Sequence, residues 1–148
     1  MNEFDTLEQV KKLFEDVNCI GAENNYFLAR KDSTKNSGMA GGMEYPYTGL
    51  LINCTENGLG IFYLDQPGIP LTYKLSKMQV KKESYTFIKN EDIKSITIKK
   101  YAILNNKIKS VSIKLNNGKN HKLMVNINED NYGYHNIGFA KFIEKYDK

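Results

Sequence analysis

The stretch Ser110 to Ile127, SVSIKLNNGKNHKLMVNI, constrains this chain more than any other. Apolar and polar residues alternate on both sides of an Asn-Asn-Gly triplet, and a period of two is the mark of strands with one buried face. Val111, Ile113 and Leu115 share one face of the first strand; Leu123, Val125 and Ile127 share one face of the second. Parity then selects the turn. A two-residue Asn117-Gly118 loop would set Ile113 opposite Lys122 and turn the second apolar set outward. A three-residue loop, Asn116-Asn117-Gly118 with Gly118 at a bulge, sets Val111 opposite Leu123 and Ile113 opposite His121. The bulged turn is the expected one.

Similar signals recur upstream. Thr48–Cys54 and Leu59–Leu64 flank Thr55-Glu56-Asn57-Gly58, where Asn57 or Gly58 can supply the positive φ of a tight hairpin. Pro67-Gly68 reads as a second turn. Further strands are expected at Tyr26–Arg30, Leu71–Leu75, Val80–Ile88 and Ser95–Lys99, with no helix signals among the later ones. Two amphipathic helices bracket them. In the first, Thr6 caps, Gln9 completes a capping box, Leu7, Val10, Leu13, Phe14 and Val17 form the apolar face, and Gly21 is the expected stop. In the second, from about Asn136 to Tyr146, Phe139, Phe142, Ile143 and Tyr146 form a stripe that must pack on the sheet. The expected class is mainly β with flanking helices, and 148 residues suit a single domain.

Lys31 to Pro46 is polar and glycine-rich, too long for a plain connection. Its Gly38, Gly41 and Gly42 are not followed by Lys and Ser/Thr opening a helix, and they do not spell the dinucleotide fingerprint, so neither phosphate-cradling motif is present. Met39, Met43, Tyr45 and Tyr47 make it a candidate interaction loop. Tyr63, Tyr73, Tyr85 and Tyr101 could extend a contact face, but half-buried filler is the better reading of tyrosine in a β-rich chain.

Charge narrows the partners. The net charge is +4, yet Arg30 is the only arginine, and lysine lacks the planar fork that reads guanine or grips phosphate bidentately. Sequence-specific nucleic-acid binding is therefore not expected. Lysines alternate with apolar residues, as at Lys109, Lys114 and Lys122, in the manner of a wet outer sheet face. Cys19 and Cys54 are the only cysteines and have no CxxC or ligand-spaced His, so buried thiols are expected rather than a disulfide or metal site. His121, His135 and the Glu91-Asp92 pair have no partner spacing that would define a triad or an acid–base pair, and no catalytic residue or cofactor is assigned. No apolar run approaches a membrane span, and the acidic start MNEFD lacks the order of a secretory signal, which leads to the expectation of a cytoplasmic protein.

Three stretches, TGLLINCTENGLGIFYL, FIKNEDIKSITIKK and IKSVSIKLNNGKNHKLMV before the terminal helix, resemble the bacterial pleckstrin-homology-like domains. The resemblance covers roughly Tyr26 to Tyr146. It implies a PH-like antiparallel β-barrel of about seven strands with a C-terminal α-helix over residues 25–148, and the N-terminal helical extension over residues 1–24 lies outside it. It also implies a non-enzymatic binding or scaffolding module acting through protein–protein contacts or self-assembly. Lipid-binding relatives place basic residues at the end of the first strand, the position held here by Arg30, Lys31 and Lys35. Across from them stand Glu44, Tyr45, Tyr47 and Thr48, where such relatives carry further basic residues. Weak binding of an anionic membrane or phosphorylated ligand at that loop is one alternative. A small-molecule carrier or enzyme using the barrel mouth is another.

Overall fold

The computed structural model describes residues 3–31, 49–67 and 74–147. In chain order the elements are α1 (Leu7–Glu15), β1 (Asn24–Lys31), β2 (Gly49–Thr55), β3 (Gly58–Asp65), β4 (Gln79–Lys89), β5 (Ile93–Ala102), β6 (Asn105–Leu115), β7 (Asn120–Asn126) and α2 (Gly133–Tyr146). The fold is mainly β. All seven strands belong to one antiparallel sheet in the order β4-β3-β2-β1-β7-β6-β5.

That order has a geometric consequence. The two edge strands, β4 and β5, are joined directly by the 3-10 turn Asn90–Asp92. Laid flat, six strand spacings would hold them about 29 Å apart. The four Cα steps from Lys89 to Ile93 reach at most about 15 Å, so the sheet must curl until its ends approach. Asn57 accepts from the Asn90 N–H and Asp92 from the Asn116 N–H, both through their carbonyls, which ties this corner to two other turns.

The β6–β7 register is the one parity selects, with Val111 opposite Leu123 and Ile113 opposite His121. Gly118 has φ 92°, and Leu115 and Lys119 close the three-residue loop. Val111, Ile113, Leu123 and Val125 are buried, whereas Ile127 lies past the end of β7 and is exposed. The β2–β3 turn also follows the sequence, with Gly58 at φ 151°.

The curled sheet carries a core on each face. On β1, Phe27 and Ala29 join Leu50, Ile52, Ile61, Val111, Ile113, Leu123, Val125, Phe139 and Phe142 inside the curl. Tyr26 and Leu28 point the other way and meet Leu51, Phe62, Phe14 and Phe4 beneath α1. This double burial explains why every residue of β2 is buried. Phe14 sits among Tyr26, Phe62 and Tyr85, with ring centroids at 5.7, 5.1 and 6.5 Å.

Several boundaries depart from expectation. The capping box of Thr6 and Gln9 is present, but α1 ends at Glu15, and Asn18 takes the left-handed turn at φ 58°. Gly21 is not the stop. Its missing side chain makes room for the Glu56 carboxylate, which a Cβ there would meet at 2.3 Å. Leu75 opens a 3-10 turn, Leu75–Lys77, instead of closing a strand. Strand β6 begins at Asn105, ahead of the alternating run, and α2 begins at Gly133, which places His135 inside the helix. Tyr63, Tyr85 and Tyr101 are half-buried, as fillers are.

Candidate functional site

Strand β1 organises the candidate site because its two edges are treated differently. It pairs with β2 along nearly its whole length but with β7 only at Arg30 and Lys31. The backbone of Asn24 to Leu28 therefore has no strand partner on the β7 side, and α2 covers much of that gap. His135 Nδ1 accepts from the Leu28 N–H at 2.8 Å, and its Nε2 lies 2.6 Å from the Asn126 carbonyl. The Leu28 donor fixes the tautomer: Nδ1 is bare, so Nε2–H donates to Asn126. One turn on, Gly138 lies against the Tyr26 peptide so closely that a Cβ would stand 2.0 Å from the Tyr26 oxygen.

Beyond Gly138 the helix and strand diverge and leave a groove of about 830 Å³. Its floor is Ala22 to Tyr26; one wall is α2, with Ile137, Lys141 and Lys145, and the other is Leu7 and Lys11 of α1. The walls are tied together, since the Tyr134 hydroxyl donates to the Phe4 carbonyl and Phe4 stacks on Tyr132 at 5.7 Å. The floor is anchored as well. Ala22 and Glu23 donate their N–H groups to the Glu56 carboxylate at 2.8 Å each, and these bonds hold its pKa below the usual carboxylate value.

The groove combines apolar and basic character. Ile137 is 64% exposed and Leu7 40%, although both are large aliphatic side chains. Three lysines face it against two glutamates, Glu23 and Glu144. Its one phenol at the wall, Tyr134, has its pKa raised chiefly by burial and its hydroxyl occupied by Phe4. This chemistry suits contact with an apolar, acidic surface. Nothing in the sequence pattern marks the groove, because it needs α1 and α2 to converge over β1 from opposite ends of the chain.

The residues expected to bind an anion are arranged differently. Arg30 and Lys31 are successive residues of one strand and so belong to opposite faces. Arg30 turns toward Leu75, Met124, Asn126 and Glu129 around a cavity of about 50 Å³, with its Nε buried and unpaired. Burial raises the pKa of Glu129, while a 3.0 Å bond from Asn126 and the Arg30 charge oppose the rise. Lys31 lies toward His121, whose pKa is lowered first by burial and then by Lys31 and Lys119. Lys35 and the proposed loop contacts Met39, Met43, Tyr45 and Tyr47 lie outside the described residues.

Cys19 and Cys54 are buried free thiols, each with its pKa raised mainly by burial. Among the described residues no group of His, Cys, Asp and Glu is placed to hold a metal ion, and no helix is long and apolar enough to cross a membrane. Set against known proteins, the chain matches no family model, no curated protein and no solved structure.

Proposed function

We propose that this chain is a non-enzymatic protein-binding module of the pleckstrin-homology-like kind, working in the cytoplasm and taking a segment of a partner protein in the groove between α1 and α2. The groove carries this reading: an open cleft with exposed Ile137 and Leu7, lined by three lysines against two glutamates. Peptide recognition places apolar anchors in a groove and uses rim charges for orientation and specificity. The ligand that fits is a short segment with one or two large apolar side chains flanked by Asp or Glu. The face of α2 from Tyr134 to Lys145 is about 16 Å long at the helical rise, enough for three turns of helix or about five extended residues.

The test is selection from a displayed random-peptide library, followed by titration of the winners into the labelled protein by NMR. Enriched sequences should be apolar with acidic flanks, shift the amides of residues 7–11, 22–26 and 134–145, and lose at least about tenfold in affinity to Ile137→Glu or Lys141→Glu. Shifts confined to another surface, or wild-type affinity retained by both variants, would refute the groove as the binding site.

A further inference from the structure

The β5–β6 hairpin outruns its neighbour. Ile108 lies opposite Asn126, the last residue of β7, and one more bond, from the Ile127 N–H to the Lys107 carbonyl at 2.8 Å, ends the three-stranded region. Beyond it the hairpin projects as two strands, and the pairing of Ala102 with Asn105 leaves Ile103 and Leu104 as the turn. Ile103 is 89% exposed and Leu104 97%. Tight two-residue turns favour Asn, Asp and Gly, so these branched apolar side chains serve neither the turn nor the core.

Charge gathers on the same part of the molecule. Between Asp92 and Glu129 the chain has eight lysines and no acidic residue, so a net +4 for the whole leaves −4 for the remainder. Lys99, Lys100, Lys107 and Lys109 fall within five positions of the tip. Lys100 and Lys109 stand directly opposite each other, a like-charge pairing that weakens a sheet. Lys109 also shares the parity of Val111 and Ile113, so it does not belong to the alternating outer face on which the sequence pattern puts it. Among the described residues, neither Lys99, Lys100 nor Lys109 forms an ion pair.

We propose that this tip is a membrane-insertion site that holds the chain on an anionic lipid surface. Ile103 and Leu104 enter the boundary between headgroups and acyl chains, and the lysines behind them meet the headgroup charge. The tip projects past the end of the third strand, and a fluid interface accepts such a projection without a matching pocket. Anionic headgroups supply a countercharge for Lys99, Lys100 and Lys109, and apolar and basic signals together bind where either alone is weak. The site is separate from the groove and does not depend on it.

The chain contains no tryptophan, so Leu104→Trp puts a single indole at the tip. With vesicles of phosphatidylcholine and phosphatidylserine its emission should shift to the blue, and with phosphatidylcholine alone it should not. In sedimentation of the unlabelled protein, Ile103→Ser with Leu104→Ser should lower partitioning by at least about tenfold, Lys99→Gln with Lys100→Gln should lower it too, and added salt should weaken it. These positions are exposed, and circular dichroism checks that the variants fold. An emission that stays that of a water-exposed indole with the anionic vesicles, whether because the chain stays in solution or because an acidic protein is the true partner, overturns the proposal. So does sedimentation unchanged by the double serine variant, which would mean that lysines alone adsorb.

Discussion

His135 on α2 accepts the Leu28 N–H of β1 at 2.8 Å, and in doing so takes the place of a missing strand. Its other nitrogen reaches the Asn126 carbonyl of β7 at 2.6 Å, so one ring spans the split between two strands that pair only further along. The ring is fully buried and stacks on Phe139 at 5.9 Å.

That bridge predicts how stability depends on pH. Burial lowers the pKa of His135, and the bond to Asn126 only partly offsets it. Protonation would put a second donor against the Leu28 N–H. Because the folded-state pKa is depressed, the unfolded chain takes up the proton first, so the stabilisation is complete above about pH 6.5 and is lost as pH falls toward the folded value. His121 acts with the same sign; Glu129, whose pKa is raised, acts oppositely and in the carboxylate range. Urea melts should show stability falling between about pH 7 and about pH 5.5. His135→Gln should cost about 2–4 kcal/mol near neutrality by stranding buried groups and should flatten the fall. A wild-type curve that rises on acidification through this range would contradict the assignment.

Gly138 and Gly133 provide a contrast within one helix. A methyl group at Gly138 collides with the backbone oxygen of Tyr26, while at Gly133 it meets nothing within 4 Å. Gly138→Ala should destabilise by about 1–3 kcal/mol as α2 is pushed off β1. Gly133→Ala should be neutral or gain up to about 1 kcal/mol from helix propensity. Thermal melts of the two variants should move in opposite directions or, at the least, separate clearly; equal shifts would mean that α2 does not approach β1 as closely as Gly138 implies.

Much of this was readable in advance, for a physical reason. Alternation fixed which faces of β6 and β7 meet because a one-residue slip would turn Val111 and Leu123 outward, and the capping box at Thr6 and Gln9 is a purely local signal. Contacts made between distant parts of the chain were not readable. The period of two cannot show that α2 replaces a strand beside Leu28, nor that Gly21 and Gly138 are small because a carboxylate and a carbonyl occupy the space. No local signal marks the tip at Ile103-Leu104, because the turn contains no turn-forming residue; only the pairing of Ala102 with Asn105 reveals it. The lysines were visible, but Lys109 changes face once the full length of β6 is known. The groove was not visible at all, since its walls come from the two ends of the chain.

The two thiols should be silent in the native state. Cys19 lies beneath α1, beside Gly60, and Cys54 belongs to the core inside the curl; burial raises both pKa values. The thiolate is the reactive form, so access and ionisation both oppose modification. An aromatic disulfide reagent at about pH 7.5 should label neither cysteine quickly and both at once in denaturant. Rapid labelling of Cys19 alone would mean that α1 opens from the sheet far more readily than the rest of the fold.

The Lys100–Lys109 pairing weakens the sheet, and one substitution can relieve it. Lys100→Glu turns a repulsive cross-strand pair into an attractive one at the same register. It should raise stability by about 0.5 kcal/mol at low ionic strength. Salt screens both interactions, so the wild type should gain stability as salt is added, Lys100→Glu should lose some, and the two curves should converge. The same variant removes positive charge next to the tip, and its partitioning to vesicles containing phosphatidylserine should fall while its stability rises. Opposite movement of stability and lipid binding is what a hairpin shaped for a charged surface requires; a variant that gained both would show that the pair has no bearing on the lipid surface.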